Sequence, residues 1–505
     1  MRFKRLIIFS LLRVAKHGRT ILSESERTYM ALFKPGYEQW RWQLGQWKAW
    51  FVFEQAKKTV PAYKDFLKKS KYTAVKLRGW QPDLTLIPPT DKESYIKKYS
   101  IESRCIGGAI PNQGVMIDES SGTSGTPNNW VRGVDEREAV KKALQFALHH
   151  IMGDKQIFIL NAFALGPWAT GMNVSMSFVD VSVLKSVGPD IKKIENTLNT
   201  FGPKYHYVIM GYPPFLKSLI DTAAIDWKKY TIVAIFGGEG LSEGMRKYLG
   251  KAFKKVYGSY GASDLEINLA AENDTTIVLR QLMIKHKKLA DKLNQVSSQA
   301  TPMIFQYNPL DYYIETNEHG ELLVTLCRDS NVAPKVRYNI HDTGHVIRFP
   351  ELRKIFKACD LNINDLGPTQ SDLPFLFHYG RSDMAVAFFG CKITPADIEE
   401  IVFGLPELAG AISSFSLITY EDAKVNKKLV LAIELLPGKE MPAPKKIQQL
   451  AHDIFEELKT VNQDYREVAP TVPSGQQPQV EFHAFEQGPF AINDIRLKKH
   501  YIQKL

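Results

Sequence analysis

The spacing of apolar and polar residues divides the chain into three stretches. Residues 1 to about 80 have helical periodicity, which ends at a proline-rich segment around 82–89. From about 110 to 345, short and nearly continuous apolar runs alternate with longer helix-like runs. These runs predict strands at 156–160, 207–210 and 232–236, and helices at 213–224 and 242–254. The alternation is typical of an α/β sheet that helices cover on both faces.

A different pattern begins near residue 380. Strands are predicted at 385–389 and 428–434, and a helix at 445–461. Another helix is predicted to begin at Thr394, which can cap the first turn, with Pro395 at the first helical position. We therefore expect a large N-terminal α/β domain with layered β-sheets flanked by helices, followed by a small mobile α+β C-terminal domain. The expected divisions are 1–84 for a helical region packed on the large domain, 85–379 for the large domain and 380–505 for the small one.

The net charge of +11 raises the question of a polyanionic partner. The lysines are scattered along helix-like stretches, and the sequence has no basic stripe interleaved with aromatic residues. We therefore expect a solvated basic surface and no nucleic-acid partner. The alternative, a nucleic-acid-binding protein, rests on charge alone and predicts an affinity that falls steeply with salt.

The N-terminus combines basic residues at 1–5 with an apolar run at 6–12. The run is too short for a spanning helix, so we expect an amphipathic helix that packs on the protein or contacts a membrane peripherally. The four cysteines lie far apart and have no zinc-ligand spacing, as is usual for reduced thiols. These features favour a cytoplasmic protein.

Glycine and hydroxyl residues follow several of the predicted strands. The segment 119–127 offers hydroxyls and backbone N–H groups that suit a polyphosphate. It lacks the Gly-Lys-Ser/Thr ending of a Walker A loop, and a Ser/Gly-rich segment taken alone is more often an ordinary loop. Gly237 and Gly238 follow the strand at 232–236 and would let a ligand approach the backbone closely.

Two further segments carry side chains with suitable chemistry. Tyr260 can stack on a purine, and Ser263 and Asp264 are placed to reach phosphate and Mg²⁺. The alternative for this segment is a glycine-rich turn that holds a core tyrosine. Asp342 ends a strand-like run, and a fixed carboxylate there can accept hydrogen bonds from both hydroxyls of a ribose.

Taken together and in order, these segments resemble the adenylate-forming (AMP-binding) superfamily. Within it they are most similar to the phenylacetate–CoA ligase branch and its capsule-associated relatives. The likeness covers roughly residues 85 to 500 and includes the phosphate loop at 120–127, the aromatic and glycine segment at 163–171, Gly-Gly-Glu at 237–239, Tyr-Gly-Ala-Ser-Asp at 260–264, the aspartate at 342 and the hinge motif at 380–383. The resemblance implies the fold of these enzymes and an ATP-dependent activation of a carboxylic acid.

The resemblance also assigns roles to individual residues. Thr123, Asp264 and Lys498 would be catalytic, with Asp264 as the Mg²⁺ ligand, and Asp383 would be the hinge. The residues that would bind ATP are Ser120, Ser121, Gly122, Thr123, Ser124, Gly125, Gly237, Gly238, Glu239, Tyr260, Gly261, Ser263, Asp342 and Arg381. The acyl pocket would contain Trp168, Tyr212 and Phe236, which suggests an apolar or aromatic acid. Aromatic residues near a core strand are otherwise usually part of the core.

The implied activity is formation of an acyl-AMP with release of pyrophosphate, then transfer of the acyl group to a thiol, with coenzyme A as the default. An amine or the thiol of a separate carrier protein is the alternative acceptor. The sequence departs from the family pattern in two places. The motif's glutamate is Asp264, for which Glu266 is a possible substitute, and the C-terminal lysine has Lys499 and Arg496 as rivals to Lys498. A nucleotide-binding homologue without activity is therefore a further alternative.

Overall fold

The computed structural model describes residues 2–22, 25–119, 128–166, 169–295, 301–367, 371–381, 386–388, 391–421, 427–462, 465–466, 469–472, 476–491 and 502–504. Its α-helices are α1 (Arg2–Leu22), α2 (Glu26–Ala31), α3 (Glu38–Thr59), α4 (Pro61–Lys69), α5 (Val134–Met152), α6 (Ala169–Phe178), α7 (Ile191–Phe201), α8 (Pro213–Thr222), α9 (Glu243–Leu249), α10 (Asp274–Lys285), α11 (Lys287–Leu293), α12 (Phe349–Ala358), α13 (Pro395–Gly404), α14 (Pro406–Ala409) and α15 (Pro444–Val461).

The strands are β1 (Leu77–Arg78), β2 (Gln81–Pro82), β3 (Val115–Glu119), β4 (Asn129–Gly133), β5 (Ile157–Asn161), β6 (Val183–Ser186), β7 (His206–Gly211), β8 (Thr231–Gly237), β9 (Lys255–Tyr260), β10 (Ala270–Ala271), β11 (Met303–Gln306), β12 (Tyr312–Thr316), β13 (Glu321–Leu326), β14 (Tyr338–Ile347), β15 (Phe375–Arg381), β16 (Val386–Phe388), β17 (Cys391–Ile393), β18 (Ile412–Glu421), β19 (Lys427–Leu435), β20 (Gln479–His483) and β21 (Ile502–Lys504). The strands and helices predicted between residues 156 and 254 are confirmed, with ends that shift by a few residues.

An eleven-stranded mixed sheet is the centre of the N-terminal part, in the order β12-β13-β14-β15-β11-β10-β9-β8-β7-β5-β6. The strands from β5 to β9 pair in parallel, and the others in antiparallel fashion. Ile157 and Ile159 of β5 join one apolar cluster, whereas Phe158 and Leu160 join a second cluster. Since successive side chains of a strand point to opposite faces, both faces of this region are buried, as the sequence predicts.

The helical N-terminal region packs beside this sheet. Ile8 and Leu12 of α1 are buried, and the ring of Phe9 meets that of Trp50 edge-on, with 5.1 Å between centroids. The other side of α1 leaves apolar side chains such as Phe3 exposed. Within the residues that the structure describes, no helix is long and apolar enough to cross a membrane.

A second core lies in the C-terminal part, where the four strands β20-β19-β18-β21 form a sheet. Helices α13 and α15 supply its buried residues Ile398, Ile401 and Ile454. The Thr394 side chain accepts a hydrogen bond from the backbone N–H of Asp397, and Pro395 opens the helix, so the predicted cap is confirmed. The mixed α/β fold with a large sheet and a smaller α+β unit agrees with the expected fold class.

Candidate active site

A cavity of about 180 Å³ lies at the carboxyl ends of the parallel strands. This edge of a parallel sheet is where α/β proteins usually bind ligands, because the strand-to-helix loops converge there. Helices α5 and α6 supply an apolar wall, and the strand ends supply backbone and small polar side chains. Residues that line the cavity include Glu119, Leu144, Leu148, Phe163, Thr170, Val174, Met210, Tyr212, Ile235, Gly237, Gly238, Ser259, Gly261, Ser263 and Asn268.

The result differs for each of the three residues that were predicted to form the acyl pocket. Tyr212 lines the cavity, and its ring meets that of Phe163 edge-on with 5.1 Å between centroids. Burial, together with the nearby Glu239 carboxylate, raises the pKa of Tyr212 to about 12, so its hydroxyl stays protonated near neutral pH. Phe236 points to the opposite face of β8, where it packs in the core below the Arg246 guanidinium. Trp168 lies outside the described residues.

Glycines form the edge of the cavity where the sequence predicts nucleotide binding. Gly237, Gly238 and Gly261 all line it. Gly238 has a φ of +82°, a left-handed conformation that glycine adopts without strain. At Gly261, a Cβ would lie 2.3 Å from the carbonyl carbon of Ile267, so no larger residue fits without a backbone shift. These positions therefore present bare backbone to whatever occupies the cavity.

Tyr260, Asp342 and His378 form a polar cluster in which Tyr260 and Asp342 are buried, and Tyr260 directly precedes Gly261 in the chain. The Tyr260 hydroxyl donates a hydrogen bond to Asp342 Oδ2 at 2.6 Å. His378 Nε2 lies 3.3 Å from the same oxygen, and its ring centroid is 4.7 Å from that of Tyr260. In the pairing of β14 with β15, Asp342 stands opposite Arg381, whose side chain is not among those described. Segments that are far apart in sequence thus bring Asp342, the predicted ribose ligand, to Tyr260, which is predicted to stack on the purine.

His378 is a functional candidate that the sequence reasoning missed. It is a single polar residue within the apolar run of β15, which is the only signal the sequence offers. Its position against Asp342 depends on the register between β14 and β15, and register is a tertiary property.

Asp264, the predicted Mg²⁺ ligand, is half-buried close to the cavity. Its Oδ2 accepts a hydrogen bond from the Tyr338 hydroxyl at 2.8 Å, and its neighbour Ser263 lines the cavity. In the described part of the chain, no three carboxylate, histidine or cysteine side chains form a complete metal site. Mg²⁺ that accompanies a nucleotide takes most ligands from phosphates and water and needs only one or two carboxylates. The residues present fit that requirement.

Glu266, the possible substitute for Asp264, belongs to a buried ion-pair network instead. One of its carboxylate oxygens pairs with Arg328, and the other accepts a hydrogen bond from the Tyr312 hydroxyl at 2.6 Å. Arg328 also donates to that hydroxyl at 2.9 Å and lies 3.4 Å from Asp311. With both oxygens engaged, Glu266 is unsuited to binding a metal ion, which is a correction to the sequence-based suggestion.

Several predicted site residues lie outside the described part of the chain. Glu119, which directly precedes the predicted phosphate loop, ends β3, pairs with Asn129 of β4 and lines the cavity. The predictions concerned are Ser120, Ser121, Gly122, Thr123, Ser124 and Gly125 of the phosphate loop, the hinge Asp383 and the catalytic Lys498.

Two polar contacts join the large and small units. Lys217 Nζ on α8 donates to the Ile412 carbonyl of β18 at 2.5 Å and to Asp221 at 2.7 Å. The backbone N–H of Ser242 donates to Glu399 Oε1 on α13 at 3.3 Å. Burial, and secondarily the charge of Glu239, raises the pKa of Glu399 to about 8.

The contact at Glu399 should make the docking of the two units depend on pH. In the docked state the pKa of Glu399 rises from its ordinary 4.5 to about 8. Its contribution to docking is therefore fully present below pH 4.5, falls as the pH rises and is lost above about pH 8. Small-angle X-ray scattering from pH 5 to 9 should show the particle expanding as pH rises. Glu399→Gln should remove the dependence, while Glu407→Gln, at an exposed pair with Lys446, should retain it. The same expansion in Glu399→Gln would contradict this assignment.

Comparison with solved structures identifies the fold. The chain is similar to 2-hydroxyisobutyryl-CoA ligase in the postadenylation state in complex with R3-HIB-AMP, with a TM-score of 0.65, 13% identity, and 92% of this chain and 88% of that chain aligned. The same ligase in the thioesterification state, in complex with 2-HIB-AMP and CoA, gives a TM-score of 0.53 with 14% identity over 93% and 90% of the chains. No protein-family model matches the sequence, and no curated protein matches it significantly. The chain therefore has the fold of this 2-hydroxyisobutyryl-CoA ligase.

Proposed function

We propose that this chain is an ATP-dependent ligase that converts a carboxylic acid into its acyl-AMP and then transfers the acyl group to coenzyme A. The observation that carries the proposal is the Tyr260–Asp342–His378 cluster together with the glycine-edged cavity at the strand ends, which Gly261, the residue after Tyr260, lines. A cavity with bare backbone on one side and a fixed carboxylate nearby suits a nucleoside, since the carboxylate can accept hydrogen bonds from ribose hydroxyls.

In this proposal the nucleotide lies along the glycine edge. The adenine contacts Gly237, Gly238 and Glu239 and stacks near Tyr260, and Asp342 accepts hydrogen bonds from the ribose. The hydrogen bond from the Tyr260 hydroxyl fixes Asp342, so the carboxylate is oriented before the ligand arrives. An acceptor held in place in this way loses little freedom on binding.

The acid lies in the apolar part of the cavity, between α5, α6 and the ends of β7 and β8. Leu148, Phe163, Val174 and Tyr212 surround that space, which favours an apolar or aromatic acyl group over a charged one. The preference for an apolar or aromatic acid therefore follows from the apolar lining. The neutral Tyr212 hydroxyl can donate a single hydrogen bond.

The chemistry proposed is in-line displacement at the α-phosphorus. A carboxylate oxygen of the acid forms the new bond to phosphorus, and the bond to the pyrophosphate oxygen breaks. Backbone and hydroxyl donors of residues 120–125 and the ammonium of Lys498 would stabilise the negative charge that develops. Mg²⁺ beside Asp264 would supply further positive charge at the phosphates. The chain contributes mainly position and charge rather than proton transfer.

Transfer to the thiol then requires a change of the residues that face the acyl-AMP. We propose that residues 380–505 rotate about Asp383, which breaks the contacts made by Lys217 and Glu399 and brings a different face of the small unit to the cavity. An amine or the thiol of a carrier protein remains the alternative acceptor. A nucleotide-binding homologue without activity is the alternative suggested by Asp264, which is one methylene shorter than the motif's glutamate.

The proposal is tested by exchange of labelled pyrophosphate into ATP, with aromatic, fatty and amino acids as the panel and the full chain as the enzyme. Exchange that depends on an added acid is the expected result, with aromatic or apolar acids the most effective. ATP binding is measured alongside by calorimetry. ATP binding without exchange would favour the inactive homologue, and no binding of ATP would refute the proposal. Adding CoA or an amine to an active pair then identifies the acceptor.

A further inference from the structure

A second, very small pocket lies beside β4 and has three cationic side chains in its lining. Arg104, Arg132 and Lys335 surround it, together with Asn129 and Trp130. Its volume is about 10 Å³, which is room for a single water-sized atom or group. Asn129, which lines this pocket, pairs with Glu119 of β3, and Glu119 lines the large cavity.

Lys335 is the unusual member of this group. Its side chain is only 5% exposed, and it makes no hydrogen bond or ion pair with any described residue. Its Nζ lies 4.3 Å from the ring centroid of Trp130 and 5.3 Å from that of Tyr338. A buried ammonium is ordinarily paired with a carboxylate, because burying an unpaired charge is costly.

The neighbouring cations make this arrangement less favourable for the free protein. Burial, and after it the charges of Arg132 and Arg104, lower the pKa of Lys335 to about 7. The carboxylates of Asp264 and Glu136 act in the opposite direction. Arg132 is neutralised by Asp118, at 3.3 Å. The positive charge that lacks a partner therefore resides on Lys335 and Arg104.

Arg104 also has unused donors. Its Nε donates to the Ser100 carbonyl at 3.3 Å, and its remaining guanidinium nitrogens have no hydrogen-bond partner among the described residues. Arg132 donates a hydrogen bond to the carbonyl of Ser263. Ser263 lines the large cavity and directly precedes Asp264 in the chain. The small pocket is thus connected through one side chain to the point where the α-phosphate is proposed to react.

We propose that this pocket holds an oxygen of the pyrophosphate leaving group, with Lys335 and Arg104 as its two charged donors. The proposal rests on the proposed function, since that reaction is the source of the pyrophosphate. One phosphoryl oxygen matches the pocket's size, and an anion supplies the negative charge that Lys335 lacks. Charge-assisted hydrogen bonds from lysine and arginine are strong and short, which suits retention of a phosphate group.

The test is calorimetric titration of the full chain with inorganic pyrophosphate, and separately with inorganic phosphate and AMP. Lys335→Met should weaken pyrophosphate binding at least tenfold, and Arg104→Gln several-fold. Lys98→Met, an exposed position six residues before Arg104, should change it less than twofold. AMP affinity should stay within twofold in all three variants. Because Lys335→Met removes a buried unpaired cation, the variant should melt no lower than the wild type. If Lys335→Met fails to fold, the pyrophosphate affinity of Arg104→Gln tests the proposal instead.

Pyrophosphate affinity in Lys335→Met within twofold of the wild-type value would overturn the inference, as would wild-type protein that binds no pyrophosphate. Equal affinity for phosphate and pyrophosphate would overturn the assignment of pyrophosphate as the occupant. Failure of this inference can be distinguished from failure of the proposed function. Normal AMP binding with pyrophosphate binding that is insensitive to Lys335 would leave the proposed function standing. Pyrophosphate binding that depends on Lys335, in a protein that binds neither ATP nor AMP, would leave only the anion pocket.

Discussion

Replacing Asp342 by alanine should weaken the binding of AMP by more than tenfold. Asp342 is 5% exposed, its Oδ2 accepts a hydrogen bond from the Tyr260 hydroxyl at 2.6 Å, and His378 Nε2 lies 3.3 Å from the same oxygen. The variant loses the proposed charged acceptor for the ribose hydroxyls and also the carboxylate to which the Tyr260 hydroxyl donates. Hydrogen bonds to charged groups contribute about 1.5–3 kcal/mol each, so loss of one or two corresponds to a decrease of tenfold or more.

Calorimetry with AMP measures this effect directly. Tyr260→Phe should give a smaller loss, because the carboxylate remains but is less well oriented. Asp360→Ala is the matched control, since this aspartate pairs with Lys288 on the exposed surface. Circular dichroism should show that each variant keeps its secondary structure. An AMP affinity of Asp342→Ala equal to that of the wild type would remove Asp342 from the nucleotide site.

Replacing Arg328 by methionine should lower the free energy of unfolding by about 3–5 kcal/mol, the usual cost of removing one member of a buried ion-pair network. Arg328 pairs with Glu266, lies 3.4 Å from Asp311 and donates to the Tyr312 hydroxyl. All four side chains are buried. The variant would leave the buried Glu266 carboxylate without the cation that pairs with it, and the desolvation of that charge is the origin of the large effect.

Urea denaturation, monitored by tryptophan fluorescence, compares the variant with the wild type through the urea concentration at the midpoint of unfolding. Lys288→Met is the matched control, because its partner Asp360 is exposed and surface pairs contribute about 0–1 kcal/mol. A midpoint of Arg328→Met equal to that of Lys288→Met would show that the network does not stabilise the protein. A loss of stability should also reduce AMP binding, because Glu266 lies in the segment that carries Tyr260 and Ser263.

The sequence by itself was enough to predict the strands, helices and caps around the site. The apolar runs at 156–160 and 232–236 and the Thr394 cap act through residues that are neighbours in the chain, so their patterns are local. The glycine segments at the strand exits were predicted for the same reason. Even Phe236 could have been placed correctly, because the period of two puts Ile235 and Gly237 on one face of β8 and Phe236 on the other.

The partners of the charged side chains were decided only by the tertiary structure. Asp342 meets the Tyr260 hydroxyl across 82 residues of sequence, and Glu266 meets Arg328 across 62. His378 reaches Asp342 through the register of β14 and β15, and Lys335 is buried beside cations that come from two other segments. Local patterns carry no record of such pairings, because a charged residue in a loop looks the same whether it will be paired, solvated or left without a counter-charge. The sequence therefore determined which elements form and predicts where a nucleotide would bind, while the packing of distant strands determined which carboxylates and cations meet one another.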